Sequence, residues 1–284
     1  IPKKACNYSC VYCQLGRTDH MTNTRQMFFT VKEIMAEFDE VLRNNIKFDV
    51  VTIVGEGEPT LYLGLGELIS EIQKRTDKPV SVITNGALFY DADLRSELYQ
   101  ADIVLPTLDA YDEESFKKIN RPHGTIDFKM VNDGLKTFSE EYQGQLWVEL
   151  MLIDGINDDD ESLRKYSEAL KKLHYDRLYI NTPVRPPAES FVKALNHEKM
   201  NHAVDALRGI SIDLLDSQGF HSEIEDHYEA IMSIIKRHPM NQFEIKGFLE
   251  SRSCKNIDEI FDDLKKDSKV AKVTYKGYDT YRLK

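Results

Sequence analysis

Apolar runs rich in β-branched residues recur along this chain at residues 50–54, 80–84, 103–107, 146–153 and 178–181, and each is followed by a turn. Stretches with helical spacing alternate with them, at about 31–44, 63–75, 92–98, 125–139 and 161–173. Short apolar runs bounded by Gly, Pro and Asn read as buried strands, and strands that alternate with helices build βαβ units around a parallel sheet. The fold class is therefore α/β. Parallel α/β folds place ligands on the loops at the carboxyl ends of their strands, so those ends are where function is sought.

The first run ends in Gly55, Glu56, Gly57, Glu58, Pro59 and Thr60. Glycine has no Cβ, which permits close approach of a ligand to the backbone, and Glu58 or neighbouring carbonyls offer acceptors to an ammonium group. The second ends in Thr84, Asn85 and Gly86, whose side chains suit sugar hydroxyls. The third ends in Pro106, Thr107, Leu108 and Asp109, which read equally as ligand contacts or as a plain strand terminus. After the fifth, Arg185 sits on a proline-stiffened loop, as an anion ligand or a structural ion pair. Glu149, Asp154 and Asn157 near the fourth strand, and Arg121 in the loop 120–124, are further candidates whose direction strand parity does not assign.

Ahead of all these stand Cys6, Cys10 and Cys13, spaced C-x3-C-x2-C, with Tyr12 before the last; the remaining cysteine, Cys254, is distant. Three thiolates on one loop suit an iron–sulfur cluster, whose fourth iron they leave open to a small molecule. The competing reading is structural zinc, which needs a fourth ligand such as His20 or Cys254. Four cysteines in 284 residues make a poor disulfide framework.

The cysteine spacing with Tyr12, the Gly57-Glu58-Pro59 turn, and the strand ends at Thr84-Asn85-Gly86 and Thr107-Leu108-Asp109 resemble those of the radical S-adenosylmethionine (SAM) superfamily. Including Gln14 to Thr18, the motif set is similar to a group of Fe–S oxidoreductases distantly related to the wyosine-forming tRNA enzymes. The resemblance covers about residues 1–190. It implies a partial (β/α)6 barrel, with a strand ahead of the cysteine loop as the sixth; Ile1 is not an initiator methionine, which is consistent with a start upstream. It implies a [4Fe–4S] cluster on Cys6, Cys10 and Cys13, and SAM chelated at the open iron. One electron then cleaves SAM to methionine and a 5′-deoxyadenosyl radical that abstracts hydrogen from a substrate. Tyr12, Gly57, Glu58, Thr84, Asn85, Thr107, Asp109 and Arg185 become candidate cofactor contacts, with Gly57 and Glu58 toward the SAM amino group and Thr84 and Asn85 toward the ribose. Glu56 stands where the family often has glycine. An electron donor such as flavodoxin or ferredoxin is implied. A second cubane is not, because only Cys254 remains.

From about residue 226 the pattern changes to three helix-like stretches, 228–237, 242–250 and 257–266, and then a hairpin across Lys276 and Gly277. This resembles a winged-helix module and divides the chain into 1–225 and 226–284. The terminal part carries 12 Lys and Arg against 10 Asp and Glu, net +2, which leaves −13 for the rest of a chain at −11. Nucleic-acid binding usually needs a concentrated basic face, so the charge does not favour it. Substrate remains open between a macromolecule, such as RNA or a peptide, and a small metabolite. The rival reading is a non-catalytic iron–sulfur or zinc sensor that binds DNA through the terminal module. No apolar run approaches the roughly 20 residues that span a bilayer, and reduced thiols fit the cytoplasm.

Overall fold

A computed structural model of the chain describes residues 4–284 apart from 45, 47, 213–219, 221, 223, 237, 276 and 277. The hairpin turn at Lys276 and Gly277 thus lies outside the described residues. A two-residue strand β1 (Ala5–Cys6) pairs in parallel with β2 (His20–Met21), and α1 (Val31–Arg43) follows, opened by a capping box between Thr30 and Glu33. Next come β3 (Val51–Ile53), a 3₁₀ turn Pro59–Leu61, α2 (Leu65–Gln73), β4 (Val80–Thr84), α3 (Ala92–Leu98) and β5 (Ile103–Pro106). The chain continues through α4 (Glu113–Ile119), α5 (Phe128–Glu141), β6 (Gln145–Met151), α6 (Asp160–Leu170), β7 (Arg177–Asn181), α7 (His197–Leu207) and β8 (Ile210–Ser211).

Strands β3 to β8 form one sheet in chain order, every described pair parallel. Among the described residues the sixth strand of this sheet is β8, at the far edge from β3. Its two residues give no periodic signal. Asp91, Asp112, Asp127, Asp159 and Asn196 cap α3 to α7, each accepting a backbone N–H in the first turn. These caps fix where each crossover helix begins, and so how long each strand-end loop is.

Val80, Val82, Val104, Val148, Leu150 and Ile180 of the sheet are fully buried, in one core with Leu65, Ile69, Leu94, Phe138, Leu163 and Tyr166. Each such side chain contributes roughly 1.5–3 kcal/mol on burial, which makes the sheet the rigid frame for its loops. A separate core gathers Ile231, Ile245, Phe248, Leu249, Leu264 and Tyr281, with Cys254 packed against it. It belongs to α8 (His227–Ile235), β9 (Met240–Asn241), α9 (Gln242–Ser251), α10 (Ile257–Lys266), β10 (Val270–Tyr275) and β11 (Tyr278–Leu283), whose strands form an antiparallel sheet in the order β10-β11-β9.

Candidate functional site

A cavity of about 440 Å³ opens at the carboxyl ends of the parallel strands. Cys6, Cys10 and Cys13 line it together with Tyr12, Gly57, Glu58, Asn85, Glu149 and Arg185. A larger groove, about 640 Å³, runs beside β3 between Phe29, Phe38, Val51 and Ile53, but it is mainly apolar and contains no cysteine. The smaller cavity is the chemical one.

The cysteine loop is held in place from two sides. Lys4 N–H donates to Glu56 O at 2.6 Å, and Glu58 N–H donates to Ala5 O at 3.0 Å. Gly57 lies so close to Ala5 that a Cβ would meet its carbonyl oxygen at 1.9 Å. This glycine serves the approach of one backbone to another, where the sequence had suggested a ligand. On the other side, residues 119–123 run beside the loop: Ser9 N–H donates to Asn120 O at 3.0 Å, Val11 N–H to Ile119 O at 2.9 Å and His123 N–H to Asn7 O at 2.8 Å.

Burial pushes the Cys6 thiol up to about 12, with Glu58 adding to the effect. Burial also raises Cys10, with Asp109 second, and it raises Cys13 against opposing hydrogen bonds and the cations Lys4 and Arg282. Neutral buried thiols are poor nucleophiles, and a bound metal is what deprotonates them. A single zinc ion with bonds near 2.3 Å needs sulfurs within roughly 4 Å of one another. Among the described residues no three His, Cys, Asp or Glu side chains are gathered to hold one ion. Among the described residues the cavity lining holds no His and no fourth Cys, and the buried hydroxyl of Tyr8, which also lines it, has no partner. Three soft donors around a space, with no fourth beside them, fit an iron–sulfur cluster with an open corner.

Glu58 is 3% exposed, and its carboxylate accepts from Thr60 N–H (3.0 Å), Thr60 Oγ1 (2.6 Å), Thr84 Oγ1 (2.5 Å) and Asn85 N–H (2.8 Å). A carboxylate has about four lone-pair sites. Its oxygens are thus occupied in joining the ends of β3 and β4, and burial still raises its pKa despite these donors. The Thr84 hydroxyl is likewise turned to Glu58 and away from the cavity. Asn85 does face it: Nδ2 donates to Asn7 Oδ1 at 2.7 Å and lies 3.7 Å from Cys6 Sγ, while Oδ1 accepts from Ala87 N–H.

Thr107 and Asp109 do not line the cavity. Asp109, 3% exposed, sits behind the cysteine loop and accepts from the Tyr12 hydroxyl, from Asn120 Nδ2 at 2.9 Å and from Met151 N–H at 3.1 Å. Burial pushes its carboxyl up to about 7 against those donors. Tyr12 therefore lines the cavity with its ring and anchors its hydroxyl to the β5 end. Glu149 lines the cavity and burial raises its pKa, with Asn181 donating to it. Asp154 is taken by Lys199 at 2.5 Å, and Asn157 is wholly buried, bonding Ile153, Met151 and Tyr166.

Arg121 does not close the mouth. With φ 47° it turns to Glu189 at 2.5 Å, which Arg17 also grips at 2.9 Å through both oxygens. These two guanidiniums hold the Glu189 carboxyl down at about 2. Arg185 splits between Gln14 Oε1 (3.3 Å) and Glu244 Oε1 (3.2 Å). Arg282 Nη1 donates to Gln14 O at 3.2 Å, and the Tyr275 hydroxyl to Pro183 O at 2.7 Å. The terminal hairpin and α9 therefore touch both the cysteine loop and the loop after β7. Sequence reading missed Glu189, Asn120 and Arg282, which reach Arg121, Cys10 and Gln14 across 68, 110 and 268 positions.

The sequence model of the Radical SAM superfamily matches residues 1–167. A UPF0026 protein of Methanocaldococcus jannaschii is 34% identical over 98% of this chain and 88% of its own length. The chain is 36% identical, over its whole length, to a Brachyspira hyodysenteriae protein named GTPase Obg, but spans only 42% of it. Among solved structures, a radical SAM methyltransferase from Sphaerobacter thermophilus superposes with a TM-score of 0.58 at 17% identity, covering 73% of this chain and 62% of that one, a likeness of fold.

Proposed function

This chain belongs to the radical SAM superfamily, and from that premise we propose that Cys6, Cys10 and Cys13 hold its cluster in the strand-end cavity while the GEGEP turn and Asn85 receive SAM. The superfamily's cofactors are a [4Fe–4S] cluster and SAM. When bound, they supply one-electron cleavage of the sulfonium and the hydrogen abstraction that follows. The observation that carries the reading is the cavity itself, lined by all three thiols and by Glu58, Asn85 and Glu149.

The chain's own residues orient, neutralise and exclude water. Backbone carbonyls of residues 55–57 take the SAM ammonium, with the Glu58 side chain beneath them held by Thr60, Thr84 and Asn85. Asn85 stays by the ribose side; Thr84 acts through Glu58. Tyr12 holds the loop to Asp109. Glu149 and Asn181 form the floor, and a substrate N–H or O–H donor fits there. Arg185 offers a carboxylate-binding cation once it leaves Glu244. Thr107 supports the β5 end.

We assign residues 1–225 to the catalytic domain, a partial (β/α)6 barrel, and 226–284 to a winged-helix-like module. The separate core of α8 to β11 and its three-stranded antiparallel sheet support that division. The contacts of Arg282, Tyr275 and Glu244 support a covering role for the module, and its weak net charge argues for a substrate enclosed beneath it over DNA reading. No described helix is long and apolar enough to cross a membrane; the electron donor we propose is a reductant such as flavodoxin or ferredoxin, in the cytoplasm.

The test is anaerobic reconstitution with iron and sulfide, then dithionite and SAM, with 5′-deoxyadenosine as the product measured. Cys10→Ala abolishes it. A wild-type protein that takes up iron yet never cleaves SAM refutes the proposal.

A further inference from the structure

Asn120 is 4% exposed, at the C-terminal end of α4 and facing the cysteine loop. Its backbone carbonyl already binds Ser9 N–H. Its side-chain Nδ2 donates to Asp109 Oδ2 at 2.9 Å and lies 3.6 Å from Cys10 Sγ, within reach of an N–H···S bond. An amide nitrogen has two hydrogens, and both are used. The orientation is also fixed: turning the amide over would set its oxygen against the Asp109 carboxylate, acceptor against acceptor. Asp109 is itself immobilised by Tyr12 and Met151 N–H. The second hydrogen of Asn120 is thereby aimed at sulfur by a buried network that leaves it no alternative.

Resting on the cluster assignment above, we propose that Asn120 is a positioning residue that donates to the Cys10 sulfur and makes the cluster easier to reduce. The physical reason is charge. A reduced cluster carries more negative charge on its sulfurs, so a donor to sulfur stabilises the reduced form more than the oxidised one, and hydrogen bonds to sulfur are among the levers that set such potentials. The chain thus couples the shape of its cysteine loop to the electronics of the cluster through one side chain.

The experiment is a redox titration of the reconstituted cluster without SAM, followed by electron paramagnetic resonance, in the full-length wild type, in Asn120→Leu and in Asn120→Ser. Leucine has nearly the same shape and no donor; serine keeps one short donor. At the wild-type midpoint, the reduced-to-oxidised ratio in Asn120→Leu is expected to fall about three- to tenfold, the scale of one hydrogen bond, with Asn120→Ser at or between the two. Equal midpoints for wild type and Asn120→Leu overturn the proposal while leaving the cluster assignment intact. A wild type that forms no reducible cluster removes the assignment itself. Should both variants fold, by circular dichroism, yet take up no cluster, Asn120 holds loop shape alone and the tuning role is likewise overturned.

Discussion

Gly57→Ala tests the interlock between the first strand end and the cysteine loop. The added Cβ meets Ala5 O at 1.9 Å and Ala5 C at 2.7 Å. Both neighbours are backbone, so no flexible side chain swings aside, and the two segments must separate by roughly 1 Å to reach tolerable contact. That separation strains the loop by about 1–3 kcal/mol. It also breaks or weakens the Glu58 N–H to Ala5 O bond at 3.0 Å, worth about 0.5–1.5 kcal/mol. A total loss of about 1.5–4.5 kcal/mol is expected. Urea unfolding of the metal-free protein measures it. Cys6 follows Ala5 directly, so iron bound per chain after reconstitution should also fall. Gly124→Ala is the control, because no atom lies within 4 Å of its built Cβ, and its effect should stay within about 0.5 kcal/mol. A Gly57→Ala protein with the wild-type unfolding midpoint and full iron content refutes the interlock.

Two further outcomes follow from the same geometry. Arg25 donates bidentately to Glu97 at 2.8 and 2.6 Å and also bonds Thr60 O and Tyr62 O, with its side chain 12% exposed; Arg25→Lys keeps the charge but loses the fork, and should cost about 1–3 kcal/mol in thermal or urea unfolding. Glu189 has its carboxyl lowered from 4.5 to about 2 by Arg17 and Arg121, so the folded form binds fewer protons than the unfolded one across that window. Its contribution is present above pH 4.5 and lost as pH falls toward 2; Glu189→Gln should flatten this part of the stability-against-pH curve, and an unchanged acid slope would count against the pairing.

Much of the frame was legible because apolar periodicity reports burial. Strands β3 to β7 and helices α1 to α3 lie close to where β-branched runs and amphipathic spacing place them. The reading placed one helix over 125–139; the structure begins α5 at Phe128, after the cap Asp127. Helix α7 was missed because only Met200, Ala203 and Leu207 of its eleven residues are buried, too narrow a stripe among charged neighbours. Strand β8 is too short to show a period. The site divides in the same way. A cysteine spacing is local, so the thiols are readable. A polar side chain at a strand end either faces the cavity, as Asn85 and Glu149 do, or satisfies a neighbouring buried group, as Thr84, Asp109 and Asn157 do. For Thr84 and Asp109 that choice depends on Glu58 and Tyr12, 26 and 97 positions away, which no short window contains; for Asn157 it depends on how the chain around Ile153 and Tyr166 folds back.

The hydrogen bond from Arg282 to the carbonyl of Gln14 spans 268 positions. A ribosome therefore makes the thiols long before their neighbouring guanidinium. At synthesis rates of about 5–20 residues per second the interval is on the order of tens of seconds. During that time the cysteine loop and the loop after β7 stand without the bonds that Arg282 and Tyr275 later bring to them.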